Sequence, residues 1–219
     1  MTWSEVTVLV AGALLLLLWW VWVAASRLDR LHRKTATSRA ALDTQLVRRA
    51  AAAAELASSG LLDPVSSVLV GEAAWEALSA GGHGRTELLT ALPDLADVVA
   101  ADQGVWASRT DASAVPVPHA DRDLAESELS RTVRAALEDP AEVELLRSVP
   151  LGAEMVEGLA AAWYRVQLAR RFHNEAAIQT QRMRRKALVR ILRLHGHAPM
   201  PHTVEIDDAW PEAFPRPGG

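Results

Sequence analysis

An apolar stretch near the N-terminus constrains this chain more than any other feature. Residues 6–25 read VTVLVAGALLLLLWWVWVAA and contain no charged side chain. As a helix with a rise of about 1.5 Å per residue, the stretch would cover about 30 Å, the thickness of the hydrocarbon core of a bilayer. Indole rings prefer the two interfaces, and tryptophans stand at both ends of the stretch. We therefore predict an N-terminal transmembrane anchor over residues 1–25. The predicted membrane-interface residues are Trp3, Trp19, Trp20, Trp22, Arg27 and Arg30.

Two alternatives to a membrane span are a buried helix of a soluble core and a cleaved signal peptide. A soluble helix seldom runs this far without a polar face. Val23, Ala24 and Ala25 resemble a cleavage site. The N-terminal region, however, carries Glu5 and no Lys or Arg, where a signal peptide needs positive charge. The sequence favours the span over both alternatives.

Positive charge follows the apolar stretch and predicts its orientation. Five basic residues come soon after it, at Arg27, Arg30, Arg33, Lys34 and Arg39. Basic residues next to a span stay on the cytoplasmic side. We expect a single-pass protein of the cell membrane, with its N-terminus outside and residues 26–219 in the cytoplasm.

The composition favours helices. Half of the residues are apolar, but the chain has only one Tyr and two Phe. Strands are rich in β-branched and aromatic residues, so we predict an all-α fold. Cysteine is absent, which excludes disulfides, thiolate catalysis and zinc sites with cysteine ligands.

The helix that contains the anchor is predicted to continue past Ser26, because no Gly or Pro occurs from there to Gly60. Gly60 is expected to end it in the left-handed conformation. Residues at a spacing of three and four form a stripe that would face a bundle core: Leu28, Leu31, Thr35, Ser38, Leu42 and Leu46.

Two Asp-Pro pairs mark further helix starts, because Asp accepts from free backbone N–H groups and Pro suits the first helical position. Asp63-Pro64 predicts a second helix that runs to about Ser79, and Asp139-Pro140 predicts one or two helical turns.

Between these starts we predict a short helix over residues 87–101 and a loop over residues 103–120. A third main helix follows, capped by Asp121 or Asp123 and ending near Glu138.

The last helix is predicted over residues 153–194. Its apolar face carries Leu159, Trp163, Val166, Ala169, Phe172, Ala176, Met183, Ala187, Ile191 and Leu194. Its basic face carries Arg170, Arg171, Arg182, Arg184, Arg185 and Arg190. Long first and last helices with shorter ones between them predict an antiparallel helical bundle over residues 26–198. Residues 199–219 contain five prolines and few apolar residues, which predicts a flexible tail.

Charge is distributed unevenly, although the formal net charge is only −4. Basic residues concentrate in segments 27–49 and 165–193, and acidic residues lie between them. This pattern predicts intramolecular ion pairs, or a basic face near an anionic membrane. The basic segments lack interleaved aromatic residues and recognition motifs, so we expect no nucleic-acid partner.

Three segments of the chain, residues 40–49, 169–176 and 194–199, resemble the LemA family. In the last of them, Leu194-His195-Gly196-His197 with Pro199 is similar to the family's closing Phe-Gly-Phe region. Residues 40–49, AALDTQLVRR, look like the family's first soluble helix, which has a hydrophobic-Asp-x-Gln-Leu core and a basic pair. Residues 169–176, ARRFHNEA, are similar to its Ala-Arg-x-Tyr-Asn segment in the last helix. The residues that carry the resemblance are Leu42, Asp43, Gln45, Leu46, Arg48, Arg49, Arg170, Arg171 and Asn174. The resemblance implies a membrane-anchored helical bundle.

The chain departs from the family pattern at several positions and resembles a divergent member. Residues 50–56 read AAAAAEL, where the family has Asp-Leu-Ile-Pro-Asn-Leu. His173 stands where Tyr is usual, and Gln181 where a second Asn is frequent.

The polar residues of the first motif have two interpretations. Asp43 and Gln45, beside the basic pair, could form a partner site. The favoured interpretation is that Asp43 pairs across the bundle with Arg170 or Arg171 and fixes the helix register.

No catalytic, cofactor-binding or metal-binding residue is predicted. The sequence has no G-x-S-x-G, P-loop or dinucleotide motif. Glu126 and Glu128 are two positions apart, so on a helix they point away from each other. His195, His197 and His202 lack the i, i+4 spacing of a zincin and are interpreted as exposed tail residues.

These observations predict a protein without catalytic activity and without cofactors that acts as a scaffold or interaction platform at the membrane. Its expected partners are the lipid bilayer and a membrane or envelope protein. A variant of this hypothesis adds docking of a basic face onto anionic lipid. One alternative is a metal-dependent or enzymatic accessory protein that uses the C-terminal histidines. Another is self-assembly through the bundle faces.

Overall fold

The computed structural model describes residues 3–81, 119–194, 196 and 198–214, and within them it contains helices and no strands. The predicted all-α class is confirmed for this part of the chain. The predicted helix over residues 87–101 and the loop up to residue 118 lie outside the described residues. The described helices are α1 (Trp3–Ser58), α2 (Pro64–Ala80), α3 (His119–Ala136), α4 (Pro140–Arg147), α5 (Pro150–Arg184) and α6 (Ala187–Ile191).

Helix α1 is one continuous helix of 56 residues. Its apolar part is long and apolar enough to cross a membrane, with a mean hydropathy of 2.4 over a window that is only 6% buried. The helix ends as predicted. Gly60 has a φ of 73°, in the left-handed region that favours glycine, and the Ser59 hydroxyl donates to the carbonyl oxygen of Leu56 at 2.7 Å.

Both Asp-Pro helix starts are confirmed. The Asp63 carboxylate accepts from the N–H groups of Val65 at 2.9 Å and Ser66 at 3.1 Å, at the start of α2. The Asp139 carboxylate accepts from the N–H of Ala141 at 2.8 Å, at the start of α4. These bonds satisfy donors that a helix leaves free at its first turn.

Helix α3 begins earlier than the predicted caps. It starts at His119, so Asp121 lies in its first turn and Asp123 lies further inside the helix. A carboxylate in the first turn stabilises the positive end of the helix dipole whether or not it is the cap. The predicted cap residues are therefore wrong, because the acidic residues alone do not define which turn comes first.

The last long helix ends ten residues before the predicted end at residue 194, since α5 stops at Arg184. The backbone of Lys186 is extended, with φ −62° and ψ 133°, and separates α5 from the short α6. No Gly or Pro marks this break. Arg184, predicted on the exposed basic face, is buried instead, and its guanidinium donates to the carbonyl oxygen of Pro199 at 2.6 Å. This tertiary contact accompanies the end of α5.

The buried face of α5 follows the prediction in its first half and departs from it in the second. Phe172 was predicted on the core face but is 58% exposed, and the buried residues there are His173 and Thr180. The Thr180 hydroxyl lies 2.9 Å from the Thr35 hydroxyl, and His173 Nδ1 lies 3.3 Å from the Ser38 hydroxyl. Polar side chains occupy these core positions because they hydrogen-bond to one another.

The chain divides into two compact units. Unit 1 comprises Met1–Ala40 and Arg171–Thr203, and unit 2 comprises Ala41–Arg170 and Val204–Gly219. In unit 2, α2 packs on α3. Alanines of α1 and α2 share the unit 2 core with larger side chains, among them Leu56, Val70, Leu129, Val133, Val156, Leu159 and Trp163.

The prediction of a flexible tail is wrong for residues 204–214. Val204, Ile206 and Phe214 are buried, with exposed fractions of 1%, 6% and 4%. Val204 and Ile206 share a cluster with Leu42 and Leu46 of α1. The segment cannot form a core of its own, but it completes the core that the helices of unit 2 provide. Residues 215–219 lie outside the described part.

Candidate functional site

A buried ion pair lies at the centre of unit 2. The guanidinium of Arg49, a residue of the AALDTQLVRR segment, is fully buried and donates from Nη2 to Oε2 of Glu126 at 2.8 Å. Its Nη1 donates to the Ser130 hydroxyl at 3.0 Å, and its Cζ lies 4.9 Å from the ring centroid of Trp163. Charge-assisted hydrogen bonds and an aromatic face together offset part of the lost hydration of the arginine, whose buried Nε has no hydrogen-bond partner among the described residues.

Burial raises the pKa of Glu126 above its ordinary value, while the neighbouring Arg49 opposes that rise. Glu128, two positions along, is exposed and pairs with Arg131. The prediction that the two carboxylates point away from each other is confirmed. This arrangement does not bring paired carboxylates together for acid–base chemistry.

Asp43 has a partner that differs from the prediction. Its Oδ1 accepts from Nη1 of Arg122 of α3 at 2.9 Å. The carboxylate beside Arg170 is instead Asp208, which accepts from Nε and Nη2 at 2.8 Å each. The expected pairing of Asp43 with Arg170 or Arg171 is therefore wrong. The sequence did not predict the pairing of Arg170 with Asp208, because the composition of residues 199–219 predicts a flexible tail.

Asp208 and Asp207 attach the C-terminal segment to the helices of unit 2. The carbonyl oxygen of Asp208 accepts from Trp163 Nε1 at 3.2 Å and from Gln167 Nε2 at 2.6 Å. Asp207 accepts from both terminal nitrogens of Arg134, at 2.8 and 2.6 Å. The hydrogen bonds from Arg134 lower the pKa of Asp207 to about 2. The prediction of a flexible tail gave Asp207 and Asp208 no such role. The sequence does carry a signal, because apolar Val204 and Ile206 alternate with charged Glu205, as in an extended segment with one packed face, and in the structure both apolar residues are buried and Glu205 is exposed.

The other residues that carry the sequence resemblance lie outside the ion pairs described above. Leu42 and Leu46 are buried, and Gln45 is half-buried. Arg48 and Arg171 are exposed, and Asn174 is half-buried. The signature residues thus do not converge on one surface, and the buried ones contribute to packing.

The C-terminal histidines considered as a metal site lie only partly within the described residues. His195 and His197 lie outside the described residues, and the side chain of His202 is exposed. The carbonyl oxygen of His202 lies 3.2 Å from Nε2 of buried His173. Among the described residues, no group of three or more His, Asp or Glu residues lies close enough to hold a metal ion.

The surface of unit 2 has an apolar cleft of about 310 Å³. Leu61 and Leu62, in the turn between α1 and α2, line it together with Leu145 and Val149. Leu145 is 73% exposed, and the acidic residues Asp63 and Glu142 also belong to the lining of the cleft. We name it the unit 2 cleft.

Basic and acidic residues are distributed unevenly between the two units. The residues of unit 1 carry 12 of the 23 Lys and Arg and three of the 27 Asp and Glu, so the remainder, unit 2, is strongly acidic. The net charge of −4 conceals this difference. Unit 1 also contains the apolar part of α1.

Comparison with known proteins adds no relative: no family model matches the chain, and searches of the curated proteins and of the solved structures find no match. The resemblance to the LemA family therefore rests on the sequence motifs alone.

Proposed function

We propose that this chain is a single-pass membrane protein, a divergent relative of the LemA family, that acts without catalysis as an interaction platform at the membrane. The observation that carries the proposal is the charge separation. The basic unit contains the apolar helix, and the acidic unit contains the exposed cleft. Cations beside a span favour an anionic leaflet, whereas a strongly acidic unit favours cationic partners.

We further propose that the helices form an antiparallel bundle with long first and last members. In unit 1, Thr35 meets Thr180 and Ser38 meets His173, so increasing numbers in α1 meet decreasing numbers in α5. Within unit 2, Leu42 and Leu46 of α1 share a cluster with Val166 of α5, and Arg49, further along α1, lies over Trp163, which comes earlier in α5. Reversed pairing of this kind supports the antiparallel arrangement.

The orientation belongs to the same proposal, with the N-terminus outside and residues 26–219 in the cytoplasm. Residues 26–40 carry five Arg or Lys against one Asp. Its support is the cost of moving these cations across the bilayer.

We expect the full-length protein to remain in the membrane pellet after carbonate washing, because about twenty apolar residues hold it in the bilayer. A reporter fused after Gly219 should show the activity expected in the cytoplasm, and one fused before Met1 should show the opposite. A soluble product that begins near Ser26 would instead identify a cleaved signal peptide and contradict the anchor.

The unit 2 cleft is the proposed partner surface. Exposed Leu145 and Val149 favour an apolar segment, and the acidic residues Asp63 and Glu142 in the lining favour Lys or Arg beside that segment. The buried charges Arg49 and Glu126 bond to each other, which supports a structural role for them. The cleft, in contrast, has exposed side chains that a partner can contact. We therefore infer a membrane-associated protein partner with an amphipathic basic segment.

A photo-crosslinking amino acid at position 145 is expected to give a discrete adduct in intact membranes. The same group at position 128, on the exposed Glu128 of α3, serves as the matched control and should not give that adduct. Mass spectrometry should map the adduct to an apolar peptide with Lys or Arg. Equal labelling from both positions, or adducts only with a second copy of this chain, would contradict the proposal.

A further inference from the structure

A cavity in unit 1 lies beside the apolar part of α1. Its volume is about 340 Å³, within the usual range for small-ligand sites of about 300–1,000 Å³. Trp20, Val23, Ala24 and Arg27 line one wall. These positions follow the i, i+3, i+4, i+7 spacing, so they form one face of the helix. The opposite wall comes from residues 183–189, around the break between α5 and α6.

The chemistry of the cavity changes along the helix axis. Trp20 and Val23 belong to the uncharged stretch, whereas Arg27 lies two turns beyond Trp20, about 10 Å along the axis. Lys186 adds a second cation from the opposite wall. Among the described residues, neither Arg27 nor Lys186 forms an ion pair with a carboxylate. A cavity with an apolar wall and free cations matches an amphiphile with an anionic headgroup.

Helix α6 exposes apolar side chains next to this cavity. Val189 is buried and holds α6 in place, while Ile191 is 74% exposed and Leu188 and Leu192 are more than 40% exposed. Arg190 is exposed on the same short helix. Apolar groups beside cations are typical of segments that lie in the headgroup region of a membrane.

We propose that the cavity binds an anionic phospholipid, whose phosphate lies between Arg27 and Lys186 and whose acyl chain lies along Trp20 and Val23. Two observations favour lipid over a protein partner: the cavity continues the apolar surface of α1, and unit 1 carries 12 cations against three carboxylates. The inference rests on the proposed membrane anchor. It adds that α6 lies in the headgroup region of the same leaflet.

Binding is tested on the full-length protein in detergent, by native mass spectrometry with dioctanoyl phosphatidylglycerol as the probe. Dioctanoyl phosphatidylcholine and inorganic phosphate are the comparison ligands. We expect phosphatidylglycerol to bind more tightly than either one. Arg27→Gln with Lys186→Gln should weaken its binding by about fivefold for each cation removed. Arg48→Gln with Arg165→Gln removes two exposed cations of unit 2 and should leave binding unchanged.

The position of α6 is tested separately in nanodiscs. The chain has no cysteine, so a fluorophore on Ile191→Cys labels one site, and Glu175→Cys on exposed α5 is the control. Brominated phosphatidylglycerol should quench the label at 191 and not the label at 175. Equal binding of all three ligands, equal loss in both double variants or no quenching at 191 would overturn the inference. The carbonate wash tests the membrane anchor independently of these lipid-binding results.

Discussion

Truncation after Thr203 is expected to destabilise unit 2 by about 5 kcal/mol or more. The truncation removes the buried side chains of Val204, Ile206 and Phe214, and each buried side chain of this size contributes about 1.5–3 kcal/mol. It also leaves Arg134 and Arg170 without the carboxylates of Asp207 and Asp208. A loss of this size is comparable to the whole stability of a typical domain. Limited proteolysis and far-ultraviolet circular dichroism of the membrane-reconstituted protein should both report it.

Single substitutions separate the packing effect from the effect of shortening the chain. Phe214→Ala should cost about 3 kcal/mol, because it leaves a cavity beside Trp163, whose ring centroid lies 6.0 Å away. Glu212→Ala, at an exposed position two residues earlier, should change the stability by less than about 0.5 kcal/mol. A truncated protein as protease-resistant as the full-length chain would show that the segment is a dispensable tail.

Arg49→Met is expected to destabilise unit 2 by about 3–5 kcal/mol at neutral pH, because it leaves Glu126 buried without its cation. The loss should be smaller at acidic pH. Removing Arg49 removes the influence that opposes the raised pKa of Glu126. A carboxyl group with a raised pKa in the folded state binds its proton more readily when folded, so stability falls as the pH rises through that pKa. Denaturant titrations of the full chain at several pH values measure this dependence.

Two companion variants make the Arg49 test specific. Arg48→Met changes the exposed neighbour and should cost less than about 0.5 kcal/mol. Combining Arg49→Met with Glu126→Leu removes both charges and should recover most of the lost stability, since paired buried charges are replaceable by apolar groups. If Arg48→Met and Arg49→Met were equally harmless, the buried pair would have no structural role.

Local signals were sufficient for the two Asp-Pro helix starts and for one helix end. Asp63 and Asp139 bond to the first free N–H groups of the helices that follow them, and Gly60 adopts the left-handed conformation that ends α1. Each of these depends on residues within a few positions of one another. The hydropathy of residues 6–25 is local in the same sense. The sequence therefore predicted a helix long and apolar enough to span a membrane, and the structure has one.

Long-range partners decided what the sequence could not. His173 and Thr180 lie in the core instead of Phe172 because Ser38 and Thr35 of α1 bond to them. The pairing of Asp43 with Arg122 depends on where α3 lies, and 79 positions separate the two residues. Sequence periodicity predicts an apolar stripe, but it does not show which polar residues find partners on another helix.

By itself, the sequence determined the helical class, the apolar helix, the caps at Asp63 and Asp139 and the basic residues that follow the apolar stretch, because propensity, capping and hydropathy act between near neighbours. The tertiary structure alone decided the break at Lys186, the burial of Val204, Ile206 and Phe214, the partner of Arg49 and the two surfaces proposed for binding. Those features depend on side chains far apart in the chain, whose burial and charge are compensated only once the helices have packed.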